Sequence, residues 1–128
     1  MVQLQTRQSV RELMICVNRI DGIWYHLARK SGMKVNTLSL LFALDDGRAR
    51  TQRQICQEWI IPKTTINTVV KECIHAGYVQ SSAGPDGREK LLSLTEAGRK
   101  YADAALQDFY RVENAAMERT LQVCGPQF

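Results

Sequence analysis

The side chains best suited to chemistry crowd into one run, Pro62 to Gly77, PKTTINTVVKECIHAG. Lys63, Thr64, Thr65, Asn67, Thr68 and Lys71 all fall in or near its first half. Read as a helix, the run places Ile66, Val69, Val70 and Cys73 on a buried stripe and those six polar residues on the opposite face. Hydroxyl, amide and ammonium groups near a helix N-terminus suit phosphates and base edges, because the first N–H groups and the helix dipole favour anions. Thr64, Thr65, Asn67 and Thr68 are candidates for base-edge contact. Lys63, Lys71 and the earlier Arg53 are candidates for phosphates, which set register and salt dependence rather than sequence. The plain alternative is a surface helix with a threonine-rich start, so the flanking chain has to decide. Catalysis has no comparable signal: there is no nucleophile beside a base motif, no Gly-rich phosphate loop and no paired carboxylates. Neither enzyme activity nor a cofactor is expected.

The elements that must position this helix are legible on both sides. Thr51 to Trp59 reads as a short helix with Thr51 as N-cap and Ile55, Cys56 and Trp59 facing inward. Ile60-Ile61 links it tightly to the second helix, where Pro62 suits the first turn and Gly77 the left-handed stop. Two short helices joined so closely describe a helix-turn-helix, whose second helix enters the DNA major groove. Tyr78 to Ser81 is strand-like, Gly84-Pro85-Asp86-Gly87 is turn chemistry, and Lys90 to Leu94 returns as a second strand. The expected fold is mainly α with a small β-hairpin wing: a winged helix-turn-helix.

Upstream, Thr6 to about Ser31 reads as a long helix with Val10, Leu13, Met14, Val17, Ile20, Trp24 and Leu27 at spacings of three and four. That stripe exceeds what one small core covers, so part of it should meet another chain. Gly22 within it marks a kink or close contact. Asn36 is expected to cap a second helix, Thr37 to about Asp45, apolar on most sides and central to the core. After the wing, Thr95 caps a last long helix whose seam runs through Tyr101, Ala105, Phe109, Val112, Ala116 and Leu121 to a stop at Gly125-Pro126. The expectation is one domain over residues 1–128, with 1–34 and 99–128 as dimerisation helices and 35–98 as the DNA-binding lobe. Trp24, Tyr25, His26, Phe42 and Tyr101 could line a crevice between those regions and take a small apolar or phenolic effector; plain packing is the alternative for all five.

Composition fits that reading. Hydrophobic residues at 45% and charged residues at 23% describe an ordinary globular protein and exclude a disordered one. The net charge of +4 is concentrated: from Gly47 to Lys100 nine Lys/Arg face five Asp/Glu, whereas residues 101–128 carry two against four. A basic middle on a neutral-to-acidic scaffold suits nucleic acid. Cys16, Cys56, Cys73 and Cys124 show no metal-ligand spacing, either among themselves or with His26 and His75, so no metal is expected, and Cys56 and Cys73 read as small core residues. No signal peptide and no membrane-length apolar run is visible, which reads as a reduced, cytoplasmic protein.

Taken together, Gly77-Tyr78-Val79, Asp86-Gly87-Arg88 and Leu94-Thr95-Glu96-Ala97-Gly98 resemble the MarR family of bacterial, usually dimeric winged-helix transcription regulators, with their G-L-V, D-x-R and L-T-x-x-G pieces. The resemblance covers roughly Val35 to Leu106, and the whole chain in helix order. It implies that Arg88 is the wing arginine that reaches the DNA minor groove and that Asp86 is the acidic partner holding it. Three departures stand out. The wing is about one residue short, Gln80-Ser81-Ser82 replaces basic residues of its first strand, and Pro62 stands where a Ser or Thr cap is usual. Relatives usually carry a further dimerisation helix beyond the position of Phe128. The function implied is a homodimeric repressor of double-stranded DNA with a pseudo-palindromic operator. Two alternatives use the same residues: a winged-helix protein-interaction module, and a redox sensor working through Cys16 in the first helix.

Overall fold

The computed structural model describes residues 2–127 and divides into two compact units between Val35 and Asn36. The first unit is built on α1, Val2–Lys30, which begins four residues before the expected Thr6. Gln3, Leu4 and Gln5 are good helix formers, and nothing among them stops the helix from extending. Its Val10, Leu13, Met14, Val17, Ile20 and Ile23 are exposed. Gly22 does not interrupt the helix, and a methyl group added there would touch nothing.

Helix α2, Val35–Leu44, follows, and all but its first residue belongs to the second unit. Asn36 is therefore inside the first turn rather than its cap. Leu38, Leu40, Leu41 and Leu44 are almost wholly buried, each contributing about 2 kcal/mol through loss of apolar surface from water. A two-residue strand follows, β1, Arg50–Thr51, which the sequence pattern did not suggest. Then come α3, Gln52–Trp59, and α4, Lys63–His75. The hairpin is β2, Val79–Ala83, and β3, Lys90–Leu94; α5, Glu96–Cys124, completes the unit. The sheet is antiparallel in the order β1-β3-β2, with Arg50 opposite Leu92 and Ser81 opposite Leu92 on its other edge.

Local chemistry explains the boundaries. Thr51 caps α3 in a reciprocal box: its hydroxyl accepts from the Gln54 N–H at 3.1 Å, and the Gln54 side chain accepts from the Thr51 N–H at 2.8 Å. The α3–α4 turn runs through Ile60, whose φ of +51° is left-handed, an uncommon state for a β-branched residue. Pro62 sits one position earlier than the first helical turn, at the N-cap of α4, with no side-chain cap bond. Gly77, at φ +83°, ends α4: its N–H donates to the Ile74 carbonyl and the Tyr78 N–H to the Cys73 carbonyl, the paired bonds of a left-handed stop. Thr95 then caps α5, accepting from the Gly98 N–H at 2.9 Å while its own hydroxyl donates to the Gly77 carbonyl at 2.6 Å. Gly98 rests directly on the Tyr78 backbone, where an added Cβ would fall 1.8 Å from the carbonyl oxygen.

Candidate nucleic-acid interface

Helix α4 buries Ile66, Val69, Val70 and Cys73, so its remaining face is forced outward. Lys63, Thr64, Asn67, Thr68 and Lys71 are exposed there, and Thr65 is half-buried at the edge of the stripe. The Thr68 hydroxyl donates back to the Thr64 carbonyl at 3.2 Å, leaving its oxygen able to accept. Between α3, α4 and the wing lies a groove of about 650 Å³ with Val70 and Leu92 at its base. Arg53, Lys63, Lys71, Arg88 and Lys90 line it, and Glu89 is the single carboxylate among the described lining residues. Arg53 lies 3.9 Å from Glu89, which ties the first helix of the pair to the wing.

The wing tip is held by its own backbone. Gly84 donates to the Glu89 carbonyl at 2.9 Å and Gly87 to the Gly84 carbonyl at 3.0 Å. Asp86 Oδ1 accepts from the main-chain N–H groups of Arg88 at 3.1 Å and Glu89 at 3.4 Å, bonds that hold its carboxyl below the usual carboxylate range. Asp86 thus grips Arg88 by its backbone, and the Arg88 side chain is exposed at the tip.

The five aromatic candidates lie on three helices, α1, α2 and α5. Trp24, half-buried, and Tyr25 and His26, exposed, lie on α1. Phe42 on α2 meets Trp59 at 5.2 Å, Phe109 at 5.6 Å and Tyr110 at 6.0 Å between ring centroids. Tyr101 stacks instead on Tyr78 at 4.2 Å, and burial pushes its hydroxyl pKa up. A second cavity, of about 500 Å³, is lined by Phe42, Trp59 and Tyr110 together with Asp45, Asp46, Arg50, Glu58 and Glu113. The inward assignment of Cys56 and Trp59 is met only by half: both are partly exposed, whereas Ile55 is fully buried. Cys73 is buried, its thiol pushed up to about 11 chiefly by desolvation, and Cys16 and Cys124 are exposed. Among the described residues no His, Cys, Asp and Glu group could hold a metal ion, and no helix is long and apolar enough to cross a membrane.

Sequence reasoning missed Arg50. Its guanidinium donates to the Ala43 carbonyl and makes two bonds to Asp46, at 2.7 and 2.5 Å, with Glu58 3.7 Å from Nε. Nothing periodic announces such a residue; the four-residue spacing from Asp46 was the one available sign, and it falls outside any helix.

The MarR family's sequence model matches residues 31–89, the segment that carries α2, the helix-turn-helix and the wing. A MarR family regulator from Neisseria meningitidis has a structure 28% identical to this chain, covering 90% of this chain and 77% of its own, with a TM-score of 0.61. Over residues 31–89, just under half of its length, the chain is similar to the MarR family. The apo form of wild-type MarR from E. coli shares the fold at 16% identity, covering 91% of this chain and 96% of its own, with a TM-score of 0.68. Staphylococcus aureus MarR in complex with salicylate and kanamycin does so at 16% identity, 91% and 79% coverage, and a TM-score of 0.69. No curated protein sequence matches this one. A mainly helical chain with a small antiparallel sheet is accordingly the winged-helix fold of MarR-family transcriptional regulators.

Proposed function

We propose that this chain is a sequence-specific DNA-binding repressor that acts as a homodimer on a pseudo-palindromic operator. The observation that carries this reading is the groove beside α4, where five cations and one carboxylate surround a polar helix face. In the complex α4 lies in the major groove, with Thr64, Thr65, Asn67 and Thr68 at base edges and Lys63, Lys71 and Arg53 at phosphates. Arg88 enters the neighbouring minor groove, where narrow A·T-rich sequence concentrates negative potential. Exposed apolar residues of α1 and of the second half of α5 support a dimer built from residues 1–34 and 99–128, with residues 35–98 as the DNA-binding lobe. Such a dimer presents its two α4 helices about 34 Å apart, one turn of DNA. A small apolar or phenolic effector that changes this spacing releases the DNA; the salicylate held by the S. aureus relative supports that chemical class.

Selection of bound sequences from a random duplex pool, followed by a salt titration on the winner, tests the reading. The expected outcome is two inverted half-sites about one helical turn apart and an affinity that falls steeply with salt. No enriched sequence and no salt slope would leave a protein-interaction module in its place.

A further inference from the structure

Around Arg50, groups from α2, the loop that follows it, β1 and α3 meet. Arg50 is half of β1, paired through its backbone with Leu92 of the wing strand β3, and its neighbour Thr51 caps α3. Its side chain is only 19% exposed. The guanidinium donates to the carbonyl of Ala43 in the last turn of α2 at 2.5 Å and grips Asp46 with two parallel bonds. Glu58 of α3 lies 3.7 Å from Nε. Asp46 also accepts the Arg48 N–H at 3.0 Å, which folds the intervening loop around it, and the Arg50 bond holds its carboxyl far below the usual range. The adjacent Asp45 accepts a 2.6 Å bond from the Tyr110 hydroxyl on α5.

We propose that Arg50 is a positioning residue for DNA binding. It fixes the angle between the α3–α4 pair and the wing, and the Tyr110–Asp45 bond extends that control to α5. The inference rests on the reading of α4 and Arg88 as DNA contacts. Specific binding needs α4 in one groove and Arg88 in the next at the same time, whereas non-specific binding needs only charge. The two-residue β1 is the joint between those parts, and two ladder positions hold it weakly. A guanidinium fork with two parallel bonds to one carboxylate is directional, so it supplies the missing definition. Lysine keeps the charge and loses the fork.

The test compares Arg50→Lys and Tyr110→Phe with the unmodified protein. Each binds two duplexes: the one the unmodified protein selects from a random pool, and a scrambled duplex of equal length. Measurements are made well below each variant's Tm. Arg50→Lys is expected to weaken binding to the selected duplex about tenfold, with the scrambled duplex and its salt slope nearly unchanged. Tyr110→Phe should show the same pattern at about threefold. Equal losses on both duplexes, or a lower Tm with an unmoved ratio, would make Arg50 a support of the fold alone and overturn the inference. Should Arg50→Lys fail to fold, Tyr110→Phe decides by the same ratio, since it removes one hydroxyl. An unmodified protein that enriches no sequence would overturn the DNA reading and this inference together; a selective protein with an unmoved ratio overturns only the role of Arg50.

Discussion

Helices α4 and α5 treat their apolar residues in opposite ways. All four apolar positions of the α4 stripe are buried, and what remains outside is polar apart from Ile74 near the helix end. Helix α5 buries Gly98, Ala102, Ala105 and Leu106 and then leaves Val112, Met117, Leu121 and Val123 in solvent, as α1 leaves most of its stripe. At 29 residues, α5 is about 44 Å long, which outruns a small lobe. The difference separates two kinds of surface. A polar outer face over a filled core is finished and waits for a polar ligand; a continuous apolar face is unfinished and waits for protein.

The strongest way to break this comparison is to truncate one residue of each kind. Leu41→Ala, at a wholly buried position, should cost about 3 kcal/mol in urea unfolding. Leu13→Ala, at a position 62% exposed, should cost less than about 0.5 kcal/mol at concentrations where the chain is monomeric. Comparable losses would show that the α1 face is already covered within one chain. Next in size, Val112→Asp combined with Leu121→Asp should move sedimentation at micromolar concentration from a dimer toward the 14.5 kDa monomer. A dimer that survives both charges removes α5 from the interface.

On the polar side, Arg88→Ala should weaken the selected operator by about 1.4 kcal/mol, near tenfold, with Tm unchanged because the side chain is exposed. Lys71→Ala should weaken all duplexes and reduce the salt slope by about one, whereas Thr68→Ala should relax sequence preference; uniform loss in both would erase the division between base readers and phosphate holders. The smallest effect concerns the turn between the two helices. Ile60, 84% exposed and left-handed, packs little, so Ile60→Gly should raise stability by about 1 kcal/mol in denaturant unfolding. A destabilised variant would mean that the exposed isoleucine makes a contact worth more than its strain.

Much of the lobe was legible because its signals are local. Thr51 with Gln54, Gly77, Thr95 and the Gly84–Gly87 turn each satisfy backbone groups within a few residues, so their chemistry is visible in sequence. Asn36 misled for a related reason: an asparagine at the cap and one in the first turn look alike, and the helix begins at Val35. Strand β1 is too short to show alternation. The Arg50 cluster was invisible because its bonds join β1 to α2 and α3 through tertiary packing, and the Tyr110–Asp45 bond spans 65 positions. The polar face of α4 was readable as a pattern, but the groove beside it required the wing's placement, which no spacing within α4 encodes.

The contact between Gly98 and Tyr78 has a mechanical consequence. Gly98 lies inside α5, where any residue could adopt the backbone, and it is glycine because the Tyr78 carbonyl leaves no clearance for a Cβ. With Thr95 bonded to both Gly77 and Tyr78, the exit of α4, the root of β2 and the start of α5 are welded at one joint. A rotation at the start of α5 cannot slip past the base of the hairpin; it must carry that base along. The far end, Gly84 to Glu89, closes on itself through its own backbone bonds, and the exposed Arg88 side chain projects from it. The wing is thus anchored at its heel and carries its cation at the toe.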